Sequence, residues 1–191
     1  MRLIASLAAA ACAFAVIPMA AAQTMPPPPL EYYGDLPAIE EAEVSPSGAY
    51  TALLMTTGGE RVISVLDAAG SPVKQLVVGD AKVRGIEWVG EEAILLLRTE
   101  TGRLPRQFLN RREEFWRGNV IPLDDNRQVV SIFAGQRSIA NAIAGFNGIR
   151  QVDGRWIGYF GGYRKGNTSG DRDRLLDGSP ALYSVDLLTG D

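Results

Sequence analysis

Histidine is absent from the 191-residue sequence, and cysteine occurs once, at Cys12. Without histidine, the chain contains no His-based catalytic triad, no His metal site and no His general base. A single cysteine cannot form a disulfide within the chain. The formal net charge is −3, so the sequence lacks the excess of basic residues that binds nucleic acid. We therefore predict no metal, no cofactor and no nucleic-acid partner.

The first 22 residues have the composition of a secretory signal peptide. Arg2 provides a positive start, residues 3–17 form an apolar run, and Pro18 ends that run. The small residues Ala20-Ala21-Ala22 then match a cleavage site, which predicts Gln23 as the new N-terminus. The apolar run is shorter than the ~20 residues that a spanning helix needs. An uncleaved membrane anchor and a lipoprotein attached through Cys12 are the alternatives.

Cleavage after Ala22 removes the only cysteine, so the mature chain has no disulfide despite its export signal. Such a protein depends on its hydrophobic core alone, which is typical of a bacterial periplasmic protein. We predict a periplasmic or secreted location, without membrane association after cleavage. Residues 23–35 contain Pro26-Pro27-Pro28-Pro29, a run that favours polyproline II and predicts a linker. The folded domain is then predicted over residues 36–191.

The start of this domain predicts short strands joined by tight turns. Pro46 and Gly48 mark a first turn, and strands are expected over residues 49–56, 61–67 and 74–78. Before them, residues 31–41 are predicted to be a segment that covers a sheet edge. The sequence therefore begins its domain with an antiparallel meander.

The pattern recurs twice with changes. Gly90 lies 42 residues after Gly48, and Gly154 lies 64 residues after Gly90. The continuous apolar run at residues 94–97 predicts a strand that is covered on both faces. Residues 100–117 are predicted to be a polar, charged insertion, and residues 139–149 have no clear assignment.

These features predict an all-β protein consisting of a partial β-propeller of about three blades. A spacing of 42 residues falls within the range of propeller blades. Blades bury their faces against neighbours on both sides, and closed propellers contain about four to eight of them. The sequence therefore predicts a fragment of a larger protein. An incomplete gene product without independent function is an alternative.

Three segments of the sequence resemble those of a known family. LPAIEEAEVSPSGAYTALLM, ERVISVLDAAG and VRGIEWVGEEAILLLRTE follow the signal peptide and the linker in that order. This arrangement resembles the start of the propeller domain of bacterial S9-family serine peptidases, the prolyl oligopeptidase-like and acylaminoacyl-peptidase-like enzymes. The resemblance implies a propeller that gates and positions peptides, with peptides as partners through the intact parent protein.

In that family the catalytic Ser, Asp and His belong to an α/β-hydrolase domain after the propeller. This chain has neither histidine nor a G-x-S-x-G nucleophile elbow, so no catalytic residue is assigned and no hydrolysis is expected from this chain alone. A binding or interaction propeller of the TolB-like kind is the alternative. Peptide specificity, the total number of blades and the oligomeric state stay open.

The candidate substrate-binding residues are Glu113 and Glu114. Propeller carboxylates in some relatives of the resembled family bind the free amino terminus of a peptide, and paired carboxylates make charge-assisted hydrogen bonds to such a group. The alternative is a solvated charged loop or short helix, in which Arg111 and Glu114 are neighbours. Asp124-Asp125-Asn126 lacks the spacing of a calcium loop and predicts a turn.

Overall fold

The computed structural model describes residues 27–34, 37–103, 112–166 and 179–191. The predicted signal peptide, 1–22, lies outside them. The chain divides into two units, Met1–Asp35 and Leu36–Asp191. In the first unit, the described residues include a short 3-10 helix, Leu30–Tyr33. Across the described ranges, no helix is long and apolar enough to cross a membrane.

The second unit is built from β-strands, which confirms the all-β prediction. Every strand pairing within the described ranges is antiparallel. The strands are β1 (Ile39–Val44), β2 (Tyr50–Thr57), β3 (Glu60–Asp67), β4 (Pro72–Val77), β5 (Lys82–Val89), β6 (Ala93–Arg103), β7 (Arg112–Pro122), β8 (Val130–Ser131), β9 (Ile139–Val152), β10 (Arg155–Arg164) and β11 (Ala181–Asp186).

The first sheet is a four-stranded meander in the order β1-β2-β3-β4. The prediction that residues 31–41 only cover an edge is wrong for its last residues, because β1 is itself the edge strand. The strand was not predicted because it contains several glutamates, which are uncommon in strands. The Glu40 carboxylate accepts hydrogen bonds from the Arg61 guanidinium at 2.8 and 2.7 Å, and Glu41 Oε1 accepts the Ile86 backbone N–H at 3.1 Å. The carboxylates of Glu40 and Glu41 therefore have partners from later strands.

The second sheet has the order β11-β10-β9-β7-β6-β5, with β8 also paired to β7. Strands β5–β8 form one antiparallel group and β9–β11 form another. The pair Trp116↔Ile143 is the sole register pair that joins the two groups among the described residues. We therefore describe the domain as three strand groups, with β1–β4 as the first.

The predicted insertion at residues 100–117 is also corrected. Strand β6 continues to Arg103 and β7 begins at Arg112, in register from the pair Ala93↔Pro122 to the pair Arg103↔Arg112. The described parts of the insertion are thus two paired strand arms, whose polar side chains alternate between the two faces. Residues 128–133 also have the composition of a strand, but only the two residues of β8 pair there.

Two hydrophobic clusters lie on the two faces of β6. Ile94 and Leu96 belong to a cluster shared with the first strand group, whereas Leu95 and Leu97 belong to a cluster shared with β9–β11. All four side chains are buried. This confirms the prediction of a strand covered on both faces. Because successive side chains of a strand point to opposite faces, one apolar run serves both clusters.

The first strand of each group ends in a turn that contains a glycine with positive φ. The φ angles are +78° at Gly48, +58° at Gly90 and +77° at Gly154. Only glycine adopts this conformation without steric cost, which accounts for the glycine at each of the three turns.

The third strand of each group leads into a turn that an aspartate caps. Oδ1 of Asp67 accepts the backbone N–H of Ala69 at 2.9 Å, and Oδ1 of Asp124 accepts that of Asn126 at 2.9 Å. In the third group, Oδ1 of Asp186 accepts the N–H of Leu188 at 3.0 Å. The three groups therefore share both their first and their third turn, and the turn predicted at residues 124–126 is confirmed.

Candidate functional site

Strand β9 separates from β7 because it is bulged. Between the pairs Phe160↔Phe146 and Gly162↔Ile143, three steps along β9 match two along β10. Gly145 lies in this bulge with φ +131°, and Gly148 lies in the neighbouring bulge with φ +104°. Bulges bend the strand that carries them. Consequently β9 meets β7 at a single register pair and then diverges from it.

The divergence opens a cleft of about 710 Å³, which we call the β7–β9 cleft. Its volume is within the range of small-molecule pockets. Most of its lining is apolar, and Trp116 is 42% exposed at its wall. The cleft is lined by Leu97, Glu113, Glu114, Phe115, Trp116, Ala140, Ala142, Ile143, Ala144, Gly145, Phe146 and Tyr163. Both carboxylates predicted from the sequence therefore lie on its boundary.

The Glu114 carboxylate has two partners on neighbouring strands. It forms an ion pair with the ammonium of Lys82 on β5, and it accepts a hydrogen bond from Thr101 Oγ1 on β6 at 2.6 Å. The hydrogen bond from Lys82, followed by that from Thr101, lowers the pKa of Glu114 to about 2. Glu114 is therefore an anion at every physiological pH, and Lys82 balances its charge.

Glu113 lies on the other face of β7. In the register of the hairpin, Glu114 is opposite Thr101 and Glu113 is opposite Gly102. The Glu113 side chain is exposed, and it has no ion pair or hydrogen bond among the described residues. The alternative of a charged loop or short helix is wrong, because these residues lie in a strand. The strand points the two carboxylates in opposite directions and leaves Glu113 unneutralised.

A second charged cluster lies on the Glu113 face of the same hairpin. Glu100 accepts hydrogen bonds from Arg117 Nε at 2.7 Å and from Arg98 Nη1 at 3.1 Å. Arg98 also donates to Asn119, whose amide donates to Ser131 Oγ on β8 at 2.8 Å. The hydrogen bond from Arg117 is the main reason that the pKa of Glu100 lies below its ordinary value. This network connects β6, β7 and β8 beside the cleft.

The sequence did not predict Lys82, Thr101 or Trp116 as parts of the site. The available signal was the alternation of polar residues at every second position, as at Arg98 and Glu100, which is typical of a strand. The high charge of the segment obscured this signal, because it favours an insertion. Pairing between β5, β6 and β7 is a long-range property, so only the fold brings Lys82 to Glu114.

The arrangement of this cleft is one that could bind a ligand. An apolar cleft bounded by strands and by an exposed carboxylate suits a ligand with an apolar group and a positive charge. Within the described ranges, no group of three or more Cys, Asp or Glu side chains is arranged to hold a metal ion. Comparisons with protein-family models, with curated proteins and with solved structures found no match.

Proposed function

We propose that this chain is the N-terminal propeller portion of an exported S9-like serine peptidase, in which it gates and positions peptide substrates. Hydrolysis then belongs to a separate α/β-hydrolase domain, and this chain alone has no catalytic activity. The observation that carries the proposal is the threefold recurrence of one strand group. Each group has a positive-φ glycine in its first turn and a capping aspartate at its third.

The packing of the groups supports the same proposal. The middle group is covered on both faces, as a propeller blade is. The outer face of the first sheet carries a row of uncharged side chains that crosses all four strands. The row consists of Ile39, Met55, Val62 and Val77, which are paired in that order. Among them, Ile39 and Val77 are exposed. An uncharged sheet face of this kind is what a blade presents to the next blade.

The contacts between the first two groups are of the kind expected between adjacent blades. Trp88 Nε1 on β5 donates to the Glu43 carbonyl on β1 at 3.1 Å, and the Trp88 ring stacks on Tyr50 at 6.1 Å between centroids. The Ser47 backbone N–H, in the first turn, donates to Glu91 Oε1 at 2.7 Å. The first strands and first turns of the two groups therefore lie side by side, as they do around a propeller axis.

In this proposal Glu113 and Glu114 remain the candidate substrate-binding carboxylates. Glu113 is the stronger candidate for the amino group of a peptide, because Lys82 already neutralises Glu114. Glu113→Gln should therefore weaken peptide binding by the intact protein more than Glu114→Gln does. Unchanged affinity in both variants would end the assignment of this site.

The proposal is tested on the native protein isolated from its source. We expect an intact mass several times that of the chain from Gln23 to Asp191, together with labelling by a fluorophosphonate probe for active serine hydrolases. A native mass equal to that of this chain, without labelling, would overturn the peptidase assignment and favour the TolB-like binding propeller. Recovery of the protein in the periplasmic or culture fraction tests its export.

A further inference from the structure

Strand β7 pairs with β6 along one edge, and we call the opposite edge its outward edge. Different parts of the outward edge pair with different strands. Asn119 and Val120 pair with β8, and Trp116 pairs with β9. From Arg112 to Phe115, no residue in the described ranges pairs with this edge. The same strand therefore accepts a two-residue strand at one end, while no described residue pairs with its other end.

The open part directs backbone groups into the β7–β9 cleft. The Gly118 carbonyl accepts the Ile132 N–H at 2.9 Å, so the backbone groups of Gly118 point to the outward edge. Backbone direction alternates along a strand, and therefore the groups of Trp116 and Glu114 point to this edge as well. Glu114 thus directs its N–H and C=O to the cleft, where no described residue forms a register pair with it, although its side chain is held by Lys82.

The chemistry of the surroundings defines the occupant. An unpaired strand edge is satisfied by another extended backbone, and strand addition is an established mode of peptide recognition. Ala144, Phe146 and Tyr163 line the cleft beside this edge and suit an apolar side chain. Glu113, exposed on the other face, suits a basic side chain at the next position of the peptide, because alternate side chains of a strand point to opposite faces.

We propose that an extended peptide with adjacent apolar and basic residues binds by adding a strand to the Arg112–Phe115 edge of β7. This inference rests on the proposed function, since it specifies how the propeller portion positions a peptide. The backbone groups of Arg112 and Glu114, which by the same alternation point to this edge, provide the hydrogen bonds, and the cleft holds the apolar side chain. Recognition is therefore mainly of peptide conformation and only partly of sequence.

The test is fluorescence polarisation of the purified protein with a fluorescein-labelled octapeptide, Gly-Ala-Lys-Val-Lys-Leu-Ala-Gly. A set of derivatives carries one N-methyl group at each position in turn. Strand addition predicts that methylation at every second central residue weakens binding about tenfold, because each loses one hydrogen bond. The residues between them face away from β7, and methylation there should change the affinity less than about twofold.

A matched pair of protein variants tests the same backbone hydrogen bonds by changing β7 instead of the peptide. Glu114→Pro and Glu114→Ala both remove the ion pair with Lys82, but only Glu114→Pro removes the backbone N–H at the edge. Proline is tolerated where the N–H of an edge strand points outward. We expect Glu114→Pro to bind the octapeptide about tenfold more weakly than Glu114→Ala. Glu113→Gln should weaken binding, whereas Glu60→Gln, at the exposed β2–β3 hairpin, should not.

The outcomes separate the two proposals. Binding that is equally sensitive, or equally insensitive, to methylation at all central positions would overturn strand addition and leave peptide positioning in place. The methylation series uses the unaltered protein, so its result does not depend on whether Glu114→Pro folds. Absence of binding by the unmethylated peptide at millimolar protein concentration would overturn both this inference and the peptide-positioning part of the proposed function.

Discussion

The indole of Trp156 lies against the backbone of Gly90, and a Cβ added at Gly90 would be 2.5 Å from Trp156 Nε1. Gly90 lies in the first turn of the second strand group, and Trp156 lies on β10 of the third. The turn glycine therefore has two roles. It adopts a φ of +58°, and it leaves room for an aromatic ring from the next group.

Gly90→Ala should lower the free energy of unfolding by about 2–5 kcal/mol. Positive φ costs a residue with a Cβ about 1–2 kcal/mol, and overpacking against the half-buried Trp156 ring adds about 1–3 kcal/mol. Urea unfolding followed by tryptophan fluorescence measures the loss.

Gly154→Ala is the matched control for this prediction. Its φ is +77°, but a Cβ there would meet no heavy atom within 4 Å. We expect a loss of about 1–2 kcal/mol, from backbone strain alone. Equal losses at the two glycines would contradict the packing of Trp156 on the turn.

Leu95→Ala tests the burial of β6 between two strand groups. Leu95 is 0% exposed and packs in the cluster shared with β9–β11. Deleting its side chain leaves a cavity, and such changes cost about 2–5 kcal/mol. Leu182→Ala, at a position that is 65% exposed on β11, should change the unfolding free energy by less than about 0.5 kcal/mol. A small effect at Leu95 would be incompatible with the two-faced core.

Local pattern predicted those parts of the fold that local chemistry determines. The apolar run from Ile94 to Leu97 identified the most buried strand, and the glycines at 48, 90 and 154 identified the turns. Strand β1 was missed because adjacent glutamates, Glu40 and Glu41, are untypical of a strand, although their partners, Arg61 and the Ile86 N–H, come from later strands. Strand β9 was missed because its glycines form bulges, which break the period of two.

The candidate site was predicted less well than the fold. The sequence located Glu113 and Glu114, but it treated adjacent carboxylates as a pair acting together. Their separation follows from the strand conformation, which places neighbouring side chains on opposite faces. The neutralisation of Glu114 depends on Lys82, which lies 32 residues earlier in the chain. A contact between residues so far apart in the sequence cannot be predicted from local composition.

The Glu40–Arg61 pair predicts a loss of stability in acid. The hydrogen bond from Arg61 is the main cause that lowers the pKa of Glu40 below 4.5 in the folded protein. A lowered folded-state pKa stabilises the protein above the unfolded-state value, and the contribution is lost as pH falls through the folded-state value. Glu40→Gln should therefore cost about 1–2 kcal/mol at pH 7, and progressively less as pH falls below about 4.5.

Urea unfolding of the wild type and of Glu40→Gln, measured from pH 7 to pH 3, checks this prediction. Glu60→Gln is the control, because Glu60 is an exposed carboxylate at the end of the adjacent hairpin. We expect that its stability difference from the wild type stays within about 0.5 kcal/mol throughout. A Glu40→Gln deficit that did not shrink toward pH 3 would show that the lost contact is not ionic.

Lys82→Met tests the electrostatics of the cleft without altering either candidate carboxylate. The hydrogen bond from Lys82 is the first cause of the low pKa of Glu114, about 2 against an ordinary value of 4.5. Removing the ammonium should raise this pKa toward 4.5, though not fully, because Thr101 still donates its hydroxyl proton. A carbon-13 NMR titration of the glutamate carboxyl groups measures the change.

The same titration contains its own control. Glu100, whose pKa depends first on Arg117, should titrate in Lys82→Met as it does in the wild type. Because the Lys82–Glu114 pair is partly exposed, added salt should raise the Glu114 pKa in the wild type and have little effect in the variant. An unchanged Glu114 titration in Lys82→Met would mean that Lys82 does not neutralise Glu114. Glu114 would then be as good a candidate substrate-binding residue as Glu113.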